Sequence, residues 1–395
     1  MTDKTTSPLT GADRRRGIVS AIACLTVVAM GLGATLPLLA LSLERQGVSP
    51  LLIGVSSAFP AIGGLLVTPV FPWFLRRFET RALLLTCVWI SVGCLTAYYF
   101  VPNVWAWFPI RFLNGAVLSI LFIVSETTIN QLADDKTRGR LMGIYATVLA
   151  VGFATGPVLL VIVGSEGYPP YAVIALLVAL ASIPISLAGR ANRHVTAHGQ
   201  SRGVTAFLLV APTATLAAFS FGALEQGSMT LLPVYGIRVG LTEQMAAMVL
   251  SAFAAGNILS QIPLGLIADR VDRRLVLIAC ALVGALTIAM LPLVQGSLLV
   301  MPVIFVFGGV VSGLYTIGLT LLGQRFRDGD LAAANAAFVM MYNVGGLVGP
   351  AIGGGAMEMM PPHGLPLAFA AISLLFAAVA GGRFLRLRAR GQNTG

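Results

Sequence analysis

Charge is scarce in this sequence, and that scarcity decides the class of protein. Only 10% of the 395 residues are charged while 57% are hydrophobic, and the mean hydropathy is +0.90. A soluble fold needs more charge than this to keep its surface in water, so a soluble domain is excluded. The composition predicts a protein whose apolar segments lie in a lipid bilayer.

Cysteine and histidine are also scarce, and their placement excludes several chemistries. The chain has four cysteines without Cys-x-x-Cys spacing, and none of its three histidines lies in an apolar segment. We therefore expect no disulfide framework, no metal site and no cofactor. His194 and His198, four residues apart, are interpreted as a solvated pair. A nucleotide-binding loop and a nucleophile–base arrangement are both missing, so neither direct use of ATP nor an enzyme is expected.

The positive charge is arranged by position along the chain. A net charge of +10 would suit nucleic acid if it were clustered, but 22 of the 25 Lys and Arg residues fall in alternate connections or in the two tails. Arg45 and Arg238 lie in the opposite connections, and Arg111 lies inside an apolar segment. Because basic residues gather on the cytoplasmic side of membrane proteins, the pattern predicts cytoplasmic termini and no nucleic-acid partner.

Twelve apolar segments are long enough to cross a bilayer, and they divide into two sets of six. The predicted spans are 17–43, 50–74, 82–101, 105–132, 139–164 and 169–189, then 206–237, 244–268, 275–294, 298–322, 331–357 and 365–386. We expect two six-helix bundles, 17–189 and 206–386, joined by a cytoplasmic linker at 190–205 and flanked by tails at 1–16 and 387–395.

The two sets of segments are copies of one unit. A shift of 193 positions places Pro109 on Pro302, Gly115 on Gly308 and Gly156 on Gly349. One unbroken offset over so long a stretch indicates an internal duplication, and parallel six-helix repeats of this kind occur in secondary transporters.

The polar turn Gly265–Arg274 lies between two apolar segments and must emerge at a membrane face. We expect Gly265 to allow close approach of two helix ends, and Asp269 to accept from helix-terminal N–H groups or pair with arginine. Arg270, Arg273 and Arg274 would hold the turn in the cytoplasm. An ordinary basic loop is the alternative.

This turn resembles the loop signature of the major facilitator superfamily, Gly-x-x-x-Asp-Arg-x-Gly-Arg-Arg/Lys, and departs from it at Asp272. The resemblance implies an all-α membrane fold of twelve helices in two pseudo-symmetric bundles, around a central cavity that opens alternately to each side. It also implies that the turn acts as a cytoplasmic gate. We expect a multi-pass monomer of the bacterial inner membrane.

The expected function is secondary active transport of a small organic solute, coupled to protons. Gly152-x-x-x-Gly156-Pro157 resembles a fifth-helix motif associated with antiporters, which favours export. Import, proton-coupled or facilitated, is the alternative. A sensor or assembly protein that has kept the fold without transport is a further alternative.

The fourth segment carries the candidate polar residues of the first half. Arg111-Phe-Leu-Asn114-Gly resembles the fourth-helix motif of the superfamily, whose arginine is tied to proton coupling in proton-driven members. An ionisable residue inside a span is a functional hypothesis, so Arg111 and Glu126 are assigned to proton coupling or substrate binding and Asn114 to the cavity lining. The alternatives are that Arg111 snorkels to the membrane surface and that Glu126 pairs with the adjacent basic loop.

The second half supplies the other candidates. Glu225 lies deep in the seventh segment, where a carboxylate must be protonated, paired or hydrated, so it is the main candidate for a proton carrier or a cation site. Its alternative is a neutral acid in an interhelical hydrogen bond. Six further residues are expected to line the cavity or to join helices by hydrogen bonds: Gln226, Asn257, Gln261, Tyr315, Tyr342 and Asn343.

Overall fold

The computed structural model describes residues 11–132, 138–188, 212–295, 297–325 and 328–389, and these residues form helices without any strand. The first half contains α1 (Gly11–Arg45), α2 (Pro50–Val67), α3 (Phe71–Arg77), α4 (Thr80–Phe100), α5 (Val104–Leu132), α6 (Arg138–Val163), α7 (Pro169–Leu180) and α8 (Ser182–Leu187). The second half contains α9 (Pro212–Arg238), α10 (Glu243–Leu259), α11 (Gln261–Arg270), α12 (Arg273–Ala289), α13 (Leu291–Val294), α14 (Val300–Arg325), α15 (Asp328–Met359) and α16 (Gly364–Ala389).

These helices confirm the predicted all-α membrane class. Within the described ranges, 9 helices or helix pairs are long and apolar enough to cross a membrane. Each of the twelve predicted segments overlaps one helix or two consecutive helices. Residues 190–205, which include His194 and His198, lie outside the described part of the chain.

Contacts between residues divide the chain into two compact units that do not coincide with the two sequence repeats. The first contains the described residues up to Thr35, together with Phe59–Gly156 and those from Glu166 to 188. The second contains Leu36–Ala58, Pro157–Ser165 and the described residues from 212 onward. The α1–α2 turn and the end of α6 therefore pack with the second repeat.

The first unit contains a close crossing of α1 and α6, and α4 packs against α5 and α7. A Cβ atom at Gly33 would overlap the backbone of Phe153, and one at Gly156 would overlap the backbone of Gly33. Glycine is needed here because the two backbones are in direct contact.

The second unit repeats this arrangement with α9 and α15, and the crossing positions its candidate site. A Cβ atom at Gly222 would overlap the carbonyl of Tyr342, and one at Gly345 would overlap the carbonyl of Phe219. Helix α10 packs on α14, and α12 packs on both α14 and α16. Because the α9 and α15 backbones touch, side chains one turn from Gly222 reach α15 directly.

Candidate functional site

Glu225 occupies the middle of a hydrogen-bonded group in the second unit. The hydroxyl of Tyr342 donates to Glu225 Oε2 at 2.8 Å, and Gln226 Nε2 donates to the same hydroxyl at 3.1 Å. Asn257 of α10 also hydrogen-bonds to Glu225. The side chains of Glu225, Gln226, Tyr342 and Asn257 are half-buried, so they are not sealed within the protein.

The carboxylate has hydrogen-bond donors but no counter-charge. Among the residues that the structure describes, no basic side chain forms an ion pair with Glu225. A carboxylate inside a membrane span without a cation must gain a proton, water or a cationic ligand, because its charge is costly in a medium of low dielectric constant.

Three aromatic rings pack together in this unit, and one of them belongs to Tyr342, which donates to Glu225. Phe221, one turn before Glu225 on α9, lies 5.1 Å from Tyr315 of α14 and 5.6 Å from Tyr342 between ring centroids. Tyr315 and Tyr342 are 6.0 Å apart. Sequence reasoning missed Phe221, although its spacing from Glu225 places both on one face of α9.

Two other predicted lining residues of the second half lie at the edge of this group or next to it. Gln261, the first residue of α11, is exposed and donates to Asn257 of α10 at 3.5 Å. Asn343 is half-buried on α15 next to Tyr342. Asn257 therefore connects Glu225 to Gln261 at the exposed edge of the group.

Arg111 is fully buried in the first unit, so it neither snorkels to a surface nor lines an open cavity in this structure. Arg111 is 1% exposed, and its Nε and Nη2 atoms have no hydrogen-bond partner in the described part of the chain. Trp107, one turn before Arg111, is itself 1% exposed and donates its Nε1–H to the carbonyl of Val101 at 2.8 Å. Only Trp105 is an exposed tryptophan there.

Asn114 shares a neighbour with Arg111, because Tyr98 of α4 interacts with both. Asn114 is buried and accepts a hydrogen bond of 2.8 Å from Ser91 of α4, so it joins two helices. Glu126 is exposed, near the other end of α5. The assignment of Arg111 and Glu126 to proton coupling or substrate binding stays a prediction. The loop that follows α5, 133–137, lies outside the described residues.

The turn after α11 uses its two aspartates in different ways, and Asp269 has one of the two roles expected for it, a pair with arginine. Asp272, the position that departs from the family signature, is the N-cap of α12 and accepts from the backbone N–H of Arg274 at 2.8 Å. Asp269 pairs with Arg273 one turn away at 3.2 Å, with 67% of its side chain exposed. No described atom lies within 4 Å of a Cβ built on Gly265, so the expected close approach is not seen. Arg270 is exposed.

An ion-pair cluster that the sequence did not predict lies at the C-terminal ends of α1 and α9. Arg45 Nη1 contacts both carboxylate oxygens of Glu243 at 2.6 and 2.7 Å. Arg238 forms a two-pronged pair with Glu44, with Nε–Oε1 at 2.7 Å and Nη2–Oε2 at 3.1 Å. Ser165 donates to Glu243, and its carbonyl accepts from Arg45 at 2.6 Å.

The sequence did contain a signal for this cluster. The shift of 193 that relates the halves also places Arg45 on Arg238, the two basic residues in the opposite connections. Each arginine pairs with a carboxylate from the other repeat, and all five residues belong to the second unit. What the sequence could not give was the identity of the acidic partners, which depends on how the helix ends meet.

Comparison with known proteins identifies the architecture. The family model described as Major Facilitator Superfamily matches residues 21–247 and 214–394. YfkF of Bacillus subtilis strain 168, an uncharacterized MFS-type transporter, is 26% identical over 332 residues, covering 82% of this chain and 85% of that protein. YcaD of Shigella flexneri, also an uncharacterized MFS-type transporter, is 24% identical over 363 residues, covering 91% and 93%.

Solved structures show the same fold at low sequence identity. The nucleoside transporter NupG superposes with a TM-score of 0.77 at 14% identity, covering 94% of this chain and 99% of that one. A bacterial homologue of the human lysosomal transporter Spinster, in an inward-facing and occupied conformation, gives 0.77 at 12% identity, covering 96% and 98%.

Proposed function

The chain belongs to the major facilitator superfamily, and we propose that it is a proton-coupled secondary active transporter with export as its favoured direction. It is a membrane transporter for a small-molecule solute and not an enzyme. We further propose that it works as a monomer in the bacterial inner membrane with both termini in the cytoplasm. The distribution of basic residues supports this orientation.

The observation that carries proton coupling is the environment of Glu225. Its carboxylate is half-buried within a span and held by Tyr342 and Asn257, without a basic partner among the described residues. Such a carboxylate is stabilised when it binds a proton. It can release the proton when water or a cation reaches it. Glu225 would therefore bind a proton or the solute in turn.

Alternating access supplies the mechanism that couples proton movement to solute movement. The two six-helix repeats, 17–189 and 206–386, would rock about a central cavity. The turn Gly265–Arg274 would control the cytoplasmic end, and the cluster of Arg45, Glu243, Glu44 and Arg238 would close the outer end. Each end needs only a few kcal/mol to decide the balance, because the two states must have nearly equal free energy for turnover.

Arg111 is proposed to bias this balance from the first unit. Two of its nitrogen atoms are buried without a partner, and an unpartnered buried charge is costly. A conformational change that admits water or a hydrogen-bond acceptor to Arg111 would lower that cost. Glu126, exposed on the same helix, remains a second proposed carboxylate of the coupling pathway.

Export is favoured over import by the Gly152–Pro157 motif on α6, which resembles the antiporter motif. The direction can be tested in everted membrane vesicles that carry an imposed pH gradient. A transported solute of an exporter would dissipate the gradient, and an importer would not respond to solute added on that side. Screening a solute panel in this assay therefore tests coupling and direction together.

Proton binding at Glu225 can be tested without knowing the solute. We expect infrared difference spectra of the purified protein, recorded across pH, to contain a protonated-carboxyl band that disappears in Glu225→Gln. Glu166→Gln, at an exposed carboxylate outside the site, is the matched control and should leave the band unchanged. A spectrum unaffected by Glu225→Gln would remove Glu225 from proton coupling.

A further inference from the structure

We propose that the Glu225 site selects organic cations that carry a bulky aromatic or apolar body. This inference rests on the proposed transport function and specifies its substrate class. It is carried by two features of the second unit: a carboxylate without a basic partner among the described residues, and a hydroxyl donor to it, Tyr342, that belongs to a cluster of three aromatic rings.

The charge preference follows from the hydrogen bonds of the carboxylate. Glu225 accepts from Tyr342 and Asn257, both neutral donors. Gln226 donates to the Tyr342 hydroxyl at 3.1 Å and so occupies its acceptor side, which leaves the hydroxyl proton directed at Glu225. Because neutral donors do not compensate the charge of the carboxylate in its ionised form, that form attracts a cationic ligand and repels an anionic one.

The aromatic preference follows from the cluster of rings that includes Tyr342. Phe221, Tyr315 and Tyr342 have centroid separations of 5.1, 5.6 and 6.0 Å and come from three different helices. Phe338 supports Tyr315 from behind, with centroids 5.2 Å apart in an edge-to-face contact. A cation within about 6 Å of a ring centroid is attracted by the ring quadrupole, and an apolar body packs on the ring faces.

The same arrangement is poorly suited to sugars and other polyhydroxyl solutes. Such ligands need several convergent hydrogen-bonding groups, but Gln226, Tyr342 and Glu225 already bond one another. Gln261 adds an amide only at the exposed edge of the group, and this amide already donates to Asn257. The half-burial of Tyr315, Tyr342 and Glu225 leaves their surfaces reachable, as a binding site requires.

The test uses two ions of matched size and opposite charge, tetraphenylphosphonium and tetraphenylborate. Binding to purified protein in detergent is measured by calorimetry and by thermal shift. We expect tetraphenylphosphonium to bind the wild type at least about tenfold more tightly than tetraphenylborate, as expected for one uncompensated charge within a partly buried site. Equal binding of both ions would overturn the proposal, since it would indicate apolar adsorption only.

Variants locate the binding to this site. Glu225→Gln should abolish the preference for the cation, whereas Glu225→Asp should retain it and also controls for folding. Tyr315→Leu should weaken cation binding about two- to tenfold through loss of a ring face. Tyr99→Leu, in the aromatic group of the first unit, and Glu166→Gln are the matched controls. Cation binding that survives Glu225→Gln would overturn the assignment.

Failure of this inference is distinguishable from failure of the proposed function. If the cation does not bind but the infrared band of Glu225 is present, the substrate class is wrong and proton coupling stands. If the cation binds through Glu225 but the band is missing, Glu225 is a substrate site without a proton role. Absence of both results would overturn both proposals.

Discussion

Reversing one charge of the ion-pair cluster should open the outer end of the transporter. The perturbation is Glu44→Arg, which removes the two-pronged pair with Arg238 and places two cationic groups together. The converse change is Arg238→Glu. Combining both changes restores a pair with the charges exchanged, so the double variant should recover most of the effect.

The magnitude follows from burial and geometry. Side-chain exposure is 28% for Arg238 and 13% for Glu44, and 31% and 26% for Arg45 and Glu243. Partly exposed pairs contribute about 0.5–1 kcal/mol each. Loss of one pair together with new like-charge repulsion should therefore cost about 1–2 kcal/mol, which changes the ratio of closed to open forms about five- to thirtyfold.

A cysteine at Ser57 reports the opening. Ser57 is 8% exposed on α2, one turn from Gly54, where an added Cβ would overlap the carbonyl of Pro350 on α15. The four native cysteines are buried, so they should add little background. The rate at which a membrane-impermeant maleimide modifies Ser57→Cys in intact cells measures how often this contact separates.

The controls make the result decisive. Glu166→Arg reverses a charge next to Ser165 but breaks no ion pair with a described residue, and should leave the labelling rate unchanged. Glu44→Arg and Arg238→Glu should each raise the rate, and the exchanged double variant should return it toward wild type. Equal rates in all variants, with the protein monodisperse on gel filtration, would refute the closure role of the cluster.

Three other substitutions test separate parts of the structure. Asp272→Ala should lower the melting temperature through loss of an N-cap bond of about 0.5–2 kcal/mol. Asp269→Ala should lower it less, because the pair of Asp269 with Arg273 is largely exposed. An equal effect of both substitutions in thermal unfolding would contradict the capping assignment. Gly222→Leu should abolish folding or membrane insertion, as judged by the monodisperse yield, because even a Cβ meets the α15 backbone; normal yield would show that the crossing can spread. Arg111→Met should keep or raise the melting temperature, since a buried charge is replaced by an apolar chain, and should impair proton-coupled transport; a large loss of stability would show that the guanidinium holds the bundle together.

Fold and repeat were predictable because lipid constrains the sequence directly. A bilayer of about 30 Å admits only long apolar helices, so the twelve segments could be identified from hydropathy. Glu225 could be named as a candidate site residue for the same reason, since a carboxylate in an apolar span has few roles. Its bond to Tyr342 was not, because that contact depends on which residues face each other where α9 crosses α15.

The contacts that the sequence did not predict share one physical cause. Sequence spacing gives the angle of a side chain around its own helix but not the element that faces it. Asn114 shares a helix with Arg111, yet Ser91 of α4 satisfies it. The capping role of Asp272 was not predicted, because it depends on the local geometry directly before the first helical residue of α12.

The sequence by itself determined that the chain lies in a membrane, that it is duplicated, and which few ionisable residues lie inside its spans. Only the tertiary structure decided their partners. Glu225 accepts from Tyr342, and Arg45 and Arg238 each pair with a carboxylate of the other repeat. Arg111 is buried with two nitrogen atoms that have no partner among the described residues. The reason is that hydropathy is a property of each segment alone, whereas pairing depends on the packing of segments far apart in the chain.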